Sequence, residues 1–272
     1  MADSINLSSS TRTNLLALQN TTNLISRTQE RLSTGLKVNS AIDDAIAFFQ
    51  AQSLSSRAGD LSVLKDSIDQ GISSVETAIN GIEAISDIVE QMKGLALGAK
   101  SEANAVNRSK AALQFNDLRN QLDNLATDAS YKGTNLIKNS PANLKVTFSE
   151  DGSSTLTISG VASDSSGLAI VQAAGNWGTD ANIDSTLNVL DSALTTLRST
   201  ASTLGSNASV LTLRLDFTKN LINSLEEGAA KLVNADLNEE SANLLTLQTR
   251  QQLGTIGLSI AQQSEQSILR LF

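Results

Sequence analysis

Residues 187–232 read LNVLDSALTTLRSTASTLGSNASVLTLRLDFTKNLINSLEEGAAKL, and their spacing decides the fold. Leu187, Leu190, Leu194, Leu197, Ala201, Leu204, Ala208, Leu211, Leu215, Thr218, Ile222, Leu225, Ala229 and Leu232 follow one another in alternating steps of three and four, and only Thr218 is polar. That register puts all of them on one helix face and marks a coiled-coil seam. At about 1.5 Å per residue the helix runs roughly 70 Å. Gly205 and Gly228 weaken it locally.

A partner seam lies upstream. Leu54, Ala58, Leu61, Lys65, Ile68, Ile72, Val75, Ile79 and Ile82 keep the same alternation, then drift to Ile85, Val89, Met92 and Ala96. Drift of this kind arises when a straight helix meets a seven-residue repeat. Gly94 and Gly98 are expected to end the helix. A third helix carries Ala111, Phe115, Leu118, Leu122, Leu125 and Ala129 on one face, with Tyr131-Lys132-Gly133 as its stop. Leu144–Phe148 and Thr155–Ile158 alternate with period two around an Asp151-Gly152 turn, which predicts a β-hairpin. The fold class is therefore mainly α: long antiparallel helices in a coiled-coil rod or bundle, paired terminal helices and a small central hairpin region.

Composition agrees and excludes several functions. Aromatics are scarce at 3%, and the single proline, Pro141, leaves long helices uninterrupted. A net charge of −8 without a basic cluster argues against nucleic acid. No cysteine or histidine is present, so disulfides, thiolate metal sites and His-dependent catalysis are excluded. No apolar run is long enough to insert in a membrane, and the N-terminus is not expected to be a cleavable signal. Asp43 and Asp44 are adjacent, so their carboxylates do not face each other as an acid–base pair would. No catalytic, metal or cofactor-binding residue is expected, and neither is an enzyme.

The two ends differ from the middle. Residues 1–26 carry only Asp3 and Arg12 as charges, and residues 244–272 only Arg250, Glu265 and Arg270. Leu15, Leu18, Ile25, Leu32 and Leu36 form one interrupted heptad face. Leu253, Ile256 and Ile260 share a face roughly opposite Leu258, while Leu244, Leu247, Ala261, Ile268 and Phe272 form another stripe. Helices apolar on two sides want neighbours on two sides. A seam with two apolar positions in seven does not offset about 1–2 kcal/mol per residue of backbone ordering. The ends are therefore expected to fold fully only among other copies, and these residues are the candidates for packing between subunits. Between Arg31 and Asp44 the chain forms a polar neck, with Gly35 fitting a helix C-terminus and Ser40 or Asp43 fitting the next cap.

The ends also carry long motifs. Leu16-Ala-Leu-Gln-Asn20 precedes Glu30-Arg-Leu-Ser-Thr-Gly-Leu-Lys-Val-Asn-Ser-Ala-Ile-Asp-Asp44, and the C-terminus holds Gln251-Gln-Leu-Gly-Thr255, Ala261-Gln-Gln263 and Ile268-Leu-Arg-Leu-Phe272. In these the sequence resembles bacterial flagellin, whose members typically read ERLSSGLRINSAKDDAAG and QQAGTSVLAQAN there. The resemblance covers roughly residues 1–135 and 183–272 and leaves the middle unmatched.

The resemblance implies a layered subunit. Residues 1–43 and 233–272 would form the inner core helices, 44–135 and 183–232 the rod domain, and 136–182 a short variable region. The rod seam would use Leu61, Ile68, Ile72, Val75, Ile79, Leu190, Leu197, Leu204, Leu211 and Ile222. It also implies a secreted, extracellular homopolymer propelling the cell, exported unfolded by a type III apparatus with a chaperone, and meeting hook-associated and cap proteins. A hook–filament junction protein shares the same end motifs and is the alternative. Many flagellins carry QRVRELA in the first long helix, read by an animal Toll-like receptor. Here the run is Glu90-Gln91-Met92-Lys93-Gly94-Leu95-Ala96, a departure that resembles α-proteobacterial flagellins and implies weakened receptor recognition.

Overall fold

The computed structural model describes residues 9–269, apart from the side chains of Ser10, Glu265, Gln266, Ile268 and Leu269. The order is α1 (Ser9–Thr34), α2 (Ala45–Ser101), α3 (Ala105–Asp128), β1 (Leu144–Thr147), β2 (Thr155–Ile158), a short turn at Ala174–Trp177, α4 (Asp180–Val233) and α5 (Leu237–Leu269). The fold is mainly α, with one two-stranded antiparallel sheet. The chain divides into two compact units: Met1–Arg57 with Ser224–Phe272, and Ala58–Asn223. Both divisions fall inside α2 and α4, beyond the neck.

In the Ala58–Asn223 unit, α2 and α4 run antiparallel. Lys93 pairs with Asp191 and Lys100 with Asp184, so numbers rise along one helix as they fall along the other. Leu61, Ile68 and Val75 of α2 and Leu190, Leu197, Leu204 and Leu211 of α4 are buried, as is Ile222; Ile72 and Ile79 are half-buried. The drifting tail Ile85, Val89, Met92 and Ala96 is wholly buried. Each buried Leu or Ile contributes about 1.5–3 kcal/mol.

Two sequence expectations are corrected here. Gly94 and Gly98 do not end α2, which continues to Ser101. A helical glycine costs only about 1 kcal/mol, and burial of Met92, Ala96 and Ala99 offsets it. The true stop is the sequence after Ser101, where Asn104 caps α3 by accepting from the Val106 N–H at 2.9 Å. On α3 the fully buried line is Ala112, Phe115, Leu122 and Ala126, so Ala112 and Ala126 join the expected face while Ala111, Leu118, Leu125 and Ala129 pack at its margin.

The central region packs onto this frame through close approaches and polar straps. The hairpin pairs Leu144 with Ile158 and Val146 with Leu156. At Gly71 of α2 an added Cβ would sit 2.8 Å from Val146, and at Gly81 one would sit 2.7 Å from Ile137. Buried Asn135 donates to the carbonyls of Ala126 and Thr127 and accepts from the Ile137 and Lys138 N–H groups. Asp123 of α3 accepts from the Ser165 N–H and hydroxyl, and Arg119 donates to the Ile170 carbonyl at 2.8 Å. Trp177, wholly buried, ends a turn with positive φ at Gly175, Asn176 and itself, and its ring lies 5.0 Å from that of Phe115.

Candidate assembly surface

The unit formed by the chain ends begins at the neck. Gly35 ends α1 with φ +73°, a conformation that favours glycine, and its N–H donates to the Arg31 carbonyl. The cap of α2 is Asp44, whose carboxylate accepts from the Ala47 N–H at 3.0 Å; neither Ser40 nor Asp43 takes that role. Asp43 instead folds the neck, accepting from the Asn39 and Ser40 N–H groups at 3.2 and 3.1 Å, with Arg27 3.7 Å away. Those bonds, that of Ser40 first, hold its carboxyl below the ordinary carboxylate value. The neck is tied to the end of α4 and the α4–α5 connection mainly by main chain, with the Lys37 ammonium donating to the Lys231 carbonyl at 3.3 Å. Lys37 and Val38 donate to the Val233 carbonyl, and Ala235 donates to that of Gly35.

Across the neck Arg31 meets Glu240 at 2.8 Å, with side chains 29% and 9% exposed. Asp236 caps α5 by accepting from the Asn238 and Glu239 N–H groups. From there α5 returns antiparallel to α1: Gln251 donates to Thr22, and Gly254 lies against Leu18.

This pairing sorts the candidate residues. The α5 face toward α1 is half-buried and runs Leu244, Leu247, Gln251, Gly254, Leu258, Ala261, again in steps of three and four. On α1, Leu15, Leu18 and Leu32 are half-buried and Ile25 is buried; Leu36 is half-buried in the neck. These residues are engaged within the chain. Leu253, Ile256 and Ile260 point away from it, 64%, 55% and 59% exposed. Leu16, Leu24 and Leu245 are equally outward, and sequence reasoning missed them because they fall between heptad positions. Ile42, Ile46 and Phe49, also exposed, add an apolar patch at the start of α2. The Ile268 side chain and Phe272 lie outside the described residues.

The departed receptor segment sits in the other unit. Met92 is buried and Lys93 is held by Asp191, while Gln91, Gly94 and Leu95 line a groove of 530 Å³ with Gly98, Ala111 and Leu118. Among the described residues no cluster of acidic side chains could hold a metal ion, and no helix is long and apolar enough to cross a membrane.

Paired end helices that keep one apolar face for each other and leave another uncovered define an α-helical subunit with a surface for partners. The comparisons say which. Residues 5–142 match the model of the bacterial flagellin N-terminal helical region, and residues 187–272 that of the C-terminal helical region. Flagellin FljM of Caulobacter vibrioides is 33% identical over 262 residues, covering 95% of each chain. A flagellin of Brucella melitensis is 33% identical over 282 residues, covering 99% of each. The crystal structure of Bacillus cereus flagellin shares the fold at 20% identity and a TM-score of 0.50, over 56% of this chain and 88% of that one. The chain belongs to the bacterial flagellin family. It is a structural subunit that polymerises into the helical filament of the bacterial flagellum, which serves swimming motility.

Proposed function

We propose that the outward apolar face of the end helices is the surface through which the polymer forms. Leu16, Leu24, Leu245, Leu253, Ile256 and Ile260 pack there against neighbouring copies, and their exposure in the single chain is the observation that carries the reading. Residues 1–43 and 233–272 then make the inner layer of the filament. Residues 44–135 and 183–232 make the outer rod domain, bearing the short variable region 136–182. The chain acts outside the cell without catalysis. It leaves unfolded through the flagellar export apparatus with a chaperone and adjoins hook-associated and cap proteins.

The test is Leu253→Asp with Ile256→Asp. Both side chains are exposed, so monomer stability shifts by no more than about 0.5 kcal/mol for each. Seeded polymerisation is abolished. Wild-type-like polymerisation of the double variant overturns the reading. The junction-protein alternative predicts that even the wild-type chain gives no extended fibres from seeds.

The segment Gln91–Leu95 lacks the family's first arginine and its glutamate, which supports weak recognition by the animal receptor. Full-strength activation in a receptor reporter assay would remove this proposal.

A further inference from the structure

One charge stands where the proposed surface should be uncharged. Between Ala242 and Ser264 of α5 the only charged residue is Arg250. It lines a groove with Leu24, Arg27, Thr28, Arg31 and Glu240, so three guanidiniums face one carboxylate. That carboxylate is held by Arg31. No hydrogen bond or ion pair reaches Arg250 among the described residues. It flanks the outward stripe, one turn before Leu253. If that stripe is covered by another copy, Arg250 is covered too, and a guanidinium taken out of water without a partner strongly opposes the burial. A carboxylate from another molecule in the assembled state would remove that opposition.

The chain itself offers one. Most described acids of this unit are engaged: Asp43 folds the neck, Asp44 and Asp236 cap helices, Glu227 pairs with Lys231, Glu30 accepts from Asn39, and Glu240 holds Arg31. Glu226 of α4 and Glu239 of α5 are both exposed, with no side-chain partner among the described residues; of the two, Glu239 shares a helix with Arg250 and lies eleven residues before it. Eleven residues are three helical turns, so the two side chains share one face of α5, roughly 16 Å apart. A neighbour whose α5 lies alongside, displaced by about that distance, brings Glu239 of one copy to Arg250 of the next. The contact is head-to-tail, as an open helical polymer requires.

We propose that Arg250 of each copy pairs with Glu239 of a second copy of this chain in the polymer. The inference rests on the outward face being the assembly surface.

The experiment compares critical concentrations of the full chain on wild-type seeds for Arg250→Glu, Glu239→Arg, the double swap, and an equimolar mixture of the two single variants. Monomer helix content by circular dichroism controls for folding. Each single variant places like charges opposite each other and raises the critical concentration at least tenfold, roughly. The double swap returns to within about threefold of wild type. The mixture does the same, because wherever the two variants alternate the glutamate introduced in one meets the arginine introduced in the other, and no effect within one chain produces that. Single variants that polymerise like wild type, or a mixture no better than its components, overturn the proposal. Failure of the wild-type chain itself to polymerise strikes the filament reading instead.

Discussion

Among the described residues, the Arg31–Glu240 contact is the ion pair that joins α1 to α5, and it is unevenly buried. Glu240 is almost wholly enclosed, while Arg31 keeps a solvent-facing side and has its Nε buried without a partner. Replacing the carboxylate by a neutral amide leaves a half-buried guanidinium without its counter-charge. Glu240→Gln is expected to destabilise the α1–α5 pairing by about 2–3 kcal/mol, read as lost amide protection of α1 in assembled filaments. Asp43 makes a different prediction. Its folded-state acidity is strengthened by the Ser40 and Asn39 amides, so the ionised form is favoured by folding. Its contribution is complete above the ordinary carboxylate value of 3.8 and is lost as pH falls through the lower folded value. Protection of the Asn39 and Ser40 amides, corrected for intrinsic exchange, should collapse over that acidic window. In Asp43→Asn it should be low and flat throughout.

At the scale of elements, two kinds of glycine in α2 behave oppositely. An added Cβ at Gly81 would meet Ala129 Cβ at 2.8 Å as well as Ile137, and the Ala129 methyl cannot rotate away. Gly94 and Gly98 face open space. Gly81→Ala should therefore destabilise the Ala58–Asn223 unit by about 1–3 kcal/mol, whereas Gly94→Ala should stabilise it by about 0.5–1 kcal/mol; urea denaturation of the monomer separates them. The same contrast explains what could be read in advance. The α4 seam was legible to the residue because Leu, Ile and Ala recur at every position of the register except Thr218. The end of α2 was not, because glycine in sequence looks the same whether it stops a helix or makes room beside one. The cap of α2, expected at Ser40 or Asp43, falls at Asp44 for a similar reason: Asp43 and Asp44 are chemically identical, and only the fold of the neck decides which carboxylate faces the helix.

At the scale of the whole molecule, the end helices were recognisable as two-sided, but which side serves the chain and which serves its neighbours was not. Leu258 and Leu253 have the same side chain five positions apart; one faces α1 and the other faces away. Pairing between distant segments makes that choice, and periodicity within one helix does not contain it. The energetic consequence is a difference in stability between the units. The Ala58–Asn223 unit buries both helix seams and the central region, while α1 and α5 share a single half-buried seam. In the monomer, amide exchange should be much faster in α1 and α5 than in Ile68–Met92. In filaments the difference should shrink by at least tenfold, roughly, as the outer face is covered. Equal protection in the monomer would mark a subunit whose ends need no neighbours.

The neck adds a constraint of another kind. Gly35 through Val38 and Val233 through Ala235 are laced by peptide groups, which every amino acid except proline supplies in full. Lineages can therefore exchange the exposed side chains there, those of Lys37 and Asn234, while Gly35 keeps its positive φ and Val38 its burial. What they cannot do is add or drop one residue on one strand alone, since every rung would slip out of step. Drift in spelling with strict conservation of length is the mark such a ladder leaves on its descendants.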